Sequence, residues 1–231
     1  CEREGDQCRC DELPPLPTGD YGIHSALAGY GNHAVLAAYN STYGDLMVGV
    51  TIDGSLSPIW QLVDGVPAAD VETVTGGPSG PRAGISAVGA DVGRYPGIAV
   101  APDGVVHVVY QDVDNGDLVY ARSLCGLGCE APEQCNDEGE CVAVDETCAP
   151  RCNPGEACLG GSCVLAGSPN RYKRMVLDSD GEAGLYNAIA LTADAAPVIF
   201  SAVARFSLNG VPSTELRIHQ STRAAPEAPD D

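Results

Sequence analysis

Gly93-Arg94-Tyr95-Pro96-Gly97-Ile98-Ala99-Val100-Ala101-Pro102-Asp103-Gly104 opens the stretch whose reading decides the fold. It continues through the apolar run Val105–Tyr110, the turn Asp114-Asn115-Gly116-Asp117 and a further apolar run, Leu118-Val119-Tyr120-Ala121. Asp-Gly and Asn-Gly between short β-branched runs mark tight hairpins, because both turn residues must tolerate positive φ. The stretch therefore predicts three antiparallel strands.

Two further copies flank it. The first aligns without gaps from Gly22 to Tyr39, setting Asn32 on Asp103 and Tyr39 on Tyr110. It runs on through Tyr43-Gly44-Asp45-Leu46 to Asp53-Gly54, and a fourth strand follows at Ile59-Trp60-Gln61-Leu62-Val63. The third begins at Gly184, repeats Tyr186 and Asp194, and passes through Pro197-Val198-Ile199-Phe200 and Asn209-Gly210 into Glu215-Leu216-Arg217-Ile218. Four antiparallel strands per unit, each unit too small to bury its own face, is the logic of a propeller blade. The alternative is an ordinary sandwich with look-alike hairpins, against which the gap-free match counts.

The second unit is interrupted. Its third and fourth strands, Leu118–Ser123 and Tyr172–Asp178, are parted by a cysteine-rich block, and a hairpin tip is where a sheet accepts an insertion. The block is itself duplicated: Cys125, Cys129, Cys135 and Cys141 are followed by Cys148, Cys152, Cys158 and Cys163 at nearly the same spacing. With little apolar content, bridges of about 2–4 kcal/mol each must supply most of its order. No close-paired cysteines and no histidine stand in the block, so thiolate metal binding is disfavoured.

The repeat resembles bacterial secreted propeller repeats whose blades read Gly-x-Tyr-Pro-x-Ile-Ala, then His-Val-x-Tyr, then Asn-Gly-Asp-Leu-x-Tyr-Ala. The copy at 93–122 carries that pattern almost throughout, with His107, Tyr110 and Tyr120 in place, while the other two copies are degraded. The resemblance implies an all-β fold of β-propeller-like four-stranded antiparallel blades, with three visible repeats forming a partial propeller. It speaks to fold rather than to activity. The cysteine block resembles small EGF-like repeats of secreted bacterial surface proteins. That likeness suggests first-to-third and second-to-fourth bridges in each half, although four cysteines permit three pairings. The expected layout is an N-terminal tether over 1–20, repeats over 21–124, the disulfide-rich insert over 125–164, the rest of the repeats over 165–220 and an acidic, Pro-rich tail over 221–231.

Composition narrows the function classes. Twelve basic residues against 32 acidic ones give a formal charge of −20, a field that repels nucleic acid and anionic lipid. No apolar run is long enough to span a bilayer. The 11 cysteines without a Cys-x-x-C point to an oxidising compartment, extracellular or at the periplasmic or outer-membrane surface of a bacterium. Cys1 is a candidate for lipidation, the expected membrane link; the other reading makes Cys1, Cys8 and Cys10 the tail of a further cysteine-rich repeat.

Few residues offer chemistry. The single tryptophan, Trp60, lies in no sialidase-type hairpin, and no nucleophile elbow, zincin motif or P-loop occurs. His24 and His33 lie in the first repeat and His219 after the last strand, while His107 reads as blade packing. The weak cation candidates are the Asp-rich turns carrying Asp112, Asp114 and Asp117, and Asp178 and Asp180, which offer oxygen ligands for structural calcium but lack a distal bidentate Glu. The ordinary hairpin of the repeat is the favoured reading of these turns, ahead of calcium. Asn40-Ser41-Thr42 is a glycosylation sequon.

The expectation is a non-enzymatic extracellular binding or structural accessory protein, with no cofactor. Closed propellers need four to eight blades, so the expectation is that the native chain continues beyond Asp231, that a second copy completes the ring, or that the sheets pack on a protein partner or larger surface assembly. A carbohydrate-active enzyme or lectin using the propeller face is the second reading, which a cleft lined by convergent aromatics or carboxylates would favour.

Overall fold

The computed structural model describes residues 19–51, 58–67, 82, 86–128, 133–135, 139–142, 172–206, 212–226 and 228–229, and the backbone of short strands at 2–4, 7–9, 156–159 and 162–165. Cys1, Asp53-Gly54, Cys129, Cys148, Cys152 and Asn209-Gly210 lie outside them. Every regular element among the described residues is a strand, and no helix is present to cross a membrane.

The small paired strands are β1 (Glu2–Glu4) with β2 (Gln7–Arg9), β10 (Gln134–Cys135) with β11 (Cys141–Val142), and β12 (Glu156–Leu159) with β13 (Ser162–Leu165). Sheet one is β3 (Tyr21–Tyr30), β4 (His33–Asn40), β5 (Asp45–Thr51) and β6 (Pro58–Asp64) in simple meander order. Sheet two is β7 (Val92–Val100), β8 (Val106–Asp112), β9 (Asp117–Ser123) and β14 (Tyr172–Asp178). Sheet three is β15 (Glu182–Leu191), β16 (Pro197–Phe206) and β17 (Pro212–Gln220), with three strands among the described residues. Among the described residues all pairings are antiparallel, and no sheet closes on itself.

Sheet two is the middle layer. Its strand β8, Val-His-Val-Val-Tyr-Gln-Asp, is buried nearly end to end, as a strand covered on both faces must be. One face packs on sheet one, joining Ile98, Val106, Val108 and Tyr110 to Ala37, Leu46 and Val48. The other packs on sheet three, joining Val109, Leu118 and Tyr120 to Ala183, Ile199 and Val203. Each aliphatic side chain so buried contributes about 1.5–3 kcal/mol, enough to stabilise sheets that have no core of their own.

Both contacts have the same polarity. Val92 N–H donates to Gly44 O at 2.9 Å, and Ala183 N–H donates to Gly116 O at 2.8 Å. In each case the start of an inner strand hangs on the second-hairpin glycine of the preceding sheet. The sheets are therefore related head to tail, front face on back face.

Strand pairing corrects the gap-free alignment of the first two repeats. Leu27 faces Leu36, Ile98 faces Val108 and Ile189 faces Ile199. Leu36 thus answers to Val108, and Tyr39 to Gln111 rather than to Tyr110. The first turn of sheet one is one residue shorter, ending the pairing at Tyr30–His33, whereas sheet two stops at Val100–Val106. A one-residue slip within a strand would exchange its faces, so the deletion is absorbed in the turn.

Tyr172 pairs with Ser123 and Met175 with Tyr120, so β14 completes sheet two beside β9, with the cysteine-rich block between them in the chain. Cys125 and Cys135, first and third of the block, are disulfide-bonded, and Cys141 is also in a disulfide. The C-terminal segment lies against the protein. Pro226 is buried, Arg122 Nε donates to its carbonyl at 3.4 Å, and Ala228 and Pro229 line a small cavity with Tyr120, Met175 and Ile199.

Candidate functional site

The first strands of the three sheets run close together, with β7 packed against β3 on one side and β15 on the other. Each begins with the same local device. Gly22, Gly93 and Gly184 hold φ of 124°, 100° and 76°, and the strand register shifts just after each of them. Bulges of this kind re-aim a side chain. Two residues after each glycine stands a ring: His24, Tyr95 and Tyr186.

These rings form a ladder across the sheets. His24 and Tyr95 have centroids 4.4 Å apart, and Tyr95 and Tyr186 are 4.7 Å apart. Tyr95 and Tyr186 sit at φ of 50° and 51°, a region that bulky residues rarely enter and that costs on the order of 1–3 kcal/mol. Tyr186 is 73% exposed, so packing does not repay that strain at its outer end.

The rings border an open depression of about 180 Å³ lined also by Ile23, Ser25, Pro96 and Asn187. Asn187 Nδ2 donates to Tyr95 O at 2.9 Å and to Gly184 O at 2.7 Å, clasping sheet three to sheet two. Its Oδ1 is buried without a hydrogen-bond partner. Beneath the ladder Tyr39 Oη and Arg94 donate to Asp91 at 2.8 and 2.7 Å, and the Arg94 guanidinium lies over the Tyr39 ring. Burial, then the charge of Arg94, pushes the His24 pKa down, which favours the neutral imidazole. The surface is thus aromatic, polar at its edges and close to neutral.

The Asp-rich turns make local hydrogen bonds and ion pairs. Asp112 accepts from Asn115 N–H and Nδ2 at 3.1 and 2.8 Å, and Asp114 accepts from Asp91 N–H at 3.0 Å. Asp117 faces Asp112 across the hairpin; burial, then the neighbouring Asp112 and Asp178, raises its pKa. Asp178 and Asp180 bind Arg217 at 2.5 and 3.0 Å, and Asp180 also pairs with Arg205. Among the described residues no three potential ligands are gathered around a common point.

The remaining singled-out residues are structural. His107 is fully buried, its Nδ1 2.7 Å from Tyr120 Oη. His33 Nδ1 meets Thr51 O at 2.7 Å, and His219 stands 3.7 Å from Asp178. Asn40 of the sequon is 1% exposed and donates to Tyr21 Oη, so its amide is closed to a glycosyl donor in the folded state. The ladder was missed in the sequence, although its signal was there: the repeats set His24, Tyr95 and Tyr186 on one position. A buried ion pair between Arg82 and Asp45, with Arg82 over the Tyr43 ring, left no sequence signal at all.

Comparison of the chain with protein-family models, with curated proteins and with solved structures finds no match. The class is the one the coordinates define: an all-β protein of three- and four-stranded antiparallel sheets carrying a disulfide.

Proposed function

We propose that this is a non-enzymatic extracellular binding protein, a propeller-type array whose ring ladder receives a neutral saccharide. The observation that carries this reading is the recurrence of one device, a positive-φ glycine followed by a ring two residues on, in all three sheets at one shared surface, with strained backbone at the two tyrosines. Strained backbone of this kind gathers at ligand clamps. An exposed tyrosine face suits the C–H face of a sugar, and the Ser25 hydroxyl lining the depression offers a hydrogen bond to a ring hydroxyl. Net charge is low at the site, because Arg94 is paired with Asp91, which favours an uncharged ligand. Glycoside cleavage would need two carboxylates flanking the bond, and the described lining of the depression holds none. The cysteine content and the Cys125–Cys135 bond support an oxidising compartment.

Titration calorimetry against neutral oligosaccharides (β-glucan, α-glucan, xylan and chitin fragments) tests the reading. Binding is expected for at least one of them, weakened about tenfold or more by Tyr186→Ala or Tyr95→Ala. Absence of binding across the panel, or binding indifferent to both substitutions, refutes it.

A further inference from the structure

We infer that the open face of sheet three docks on the open face of sheet one of a second copy of this chain, head to tail, so that two copies build one ring of sheets. The inference is independent of the saccharide reading and rests on equivalent positions. On the forward face, Ala37 faces Val48 in sheet one, Val109 faces Tyr120 in sheet two, and Phe200 faces Ile218 in sheet three. Leu46, Leu118 and Leu216 stand two residues before the second member of each pair. In sheet one Ala37, Leu46 and Val48 are fully buried beneath sheet two, and in sheet two Val109, Leu118 and Tyr120 are at most 1% exposed beneath sheet three. In sheet three the same positions are bare: Phe200, Leu216 and Ile218 are 38%, 69% and 61% exposed.

The backward faces show the complementary gap. Ile98 is 8% exposed because sheet one covers it, and Ile189 packs in the core between sheets two and three, whereas their counterpart Leu27 is 68% exposed. One half of a twice-used contact is therefore displayed at each end of the array. What fits a forward face in this molecule is a backward face of the same kind, and sheet one supplies it.

A heterologous contact of this sort closes a ring or grows a filament. Two copies bring six sheets, within the range of closed propellers, whereas a third would exceed it. Closure would also set the partner's His24 beside Tyr186, continuing the ring ladder across the junction. Both exposed sheet faces, an aggregation hazard when bare, would be covered.

Sedimentation equilibrium of the full chain under non-reducing conditions tests this. The expected mass is twice the 23.7 kDa of the chain. Ile218→Glu and Leu27→Glu alter exposed side chains, so each is expected to fold, shown by an unchanged far-ultraviolet spectrum, and each is expected to lose the closed pair. Mixing the two variants is expected to restore a weaker pair, because one carries an intact forward face and the other an intact backward face. A monomer at the highest attainable concentration, a filament, or a pair that ignores Leu27→Glu (as contact between two forward faces would) overturns the inference.

Discussion

Tyr186 and Ala195 hold backbone torsions that glycine or asparagine would adopt with less strain, and they separate stability from use. Ala195, at φ 59°, occupies the turn position that Gly104 fills at 88° in sheet two. Since left-handed torsion costs an L-residue about 1–2 kcal/mol, partly offset by glycine's entropy, Ala195→Gly is expected to stabilise by up to about 1 kcal/mol in urea titration. Tyr186→Asn is expected to leave stability unchanged or raise it, because the strain is relieved while little buried area is lost. A clear fall in its urea midpoint would mean that the ring serves packing instead. His107 gives an acid signature: burial holds it at about 4, below the ordinary 6.5. As pH falls through that window the unfolded chain takes up a proton that the folded chain refuses, so stability is lost on acidification, by about 3 kcal/mol in full. In His107→Phe the difference in unfolding free energy between neutral pH and the lower end of the window is expected to shrink by that amount.

At the level of strands and hairpins the sequence was largely readable, because Asp-Gly and Asn-Gly turns between alternating runs leave little freedom. The three antiparallel sheets and the return of Tyr172–Asp178 beside β9 follow from those turns, and the Cys125–Cys135 bond is the first-to-third bridge that the EGF-like resemblance implied. Register was less legible: a shortened turn and a shortened strand leave the same residues in the string, and only the pairing of Leu27 with Leu36 separates them. The Arg82–Asp45 pair was invisible for a different reason, since a contact between distant segments has no local pattern. Both side chains are at most 3% exposed, and removing one partner of such a pair leaves a buried charge unmatched. Arg82→Met is accordingly expected to cost about 3–5 kcal/mol in equilibrium unfolding. Replacing the cysteine-rich block by a two-residue turn between Ser123 and Tyr172 is expected to preserve the sheet spectrum. The cost should be about 1–3 kcal/mol, from the packing of Leu127 against the core.

Across the whole molecule, charge and apolar surface pull in opposite directions. Two chains of −20 repel each other, while the faces inferred to join them are aliphatic and aromatic. Added salt screens the repulsion and leaves apolar burial intact, so the pair is expected to tighten severalfold as ionic strength rises. Sedimentation at two salt concentrations reads this directly; loosening in salt would point to contacts made by charge. The course of β9 has a further consequence. It starts at Asp117, beside the end where Tyr95 and Tyr186 gather, and finishes at Ser123, where the cysteine-rich block departs near Gly104 and Gly126. At about 3.3 Å per residue the two ends stand roughly 20 Å apart. A guest seated at one rim and a neighbour bound beside Ser123 at the other would not compete for space, so the middle sheet can serve as a strut bridging two unlike surfaces.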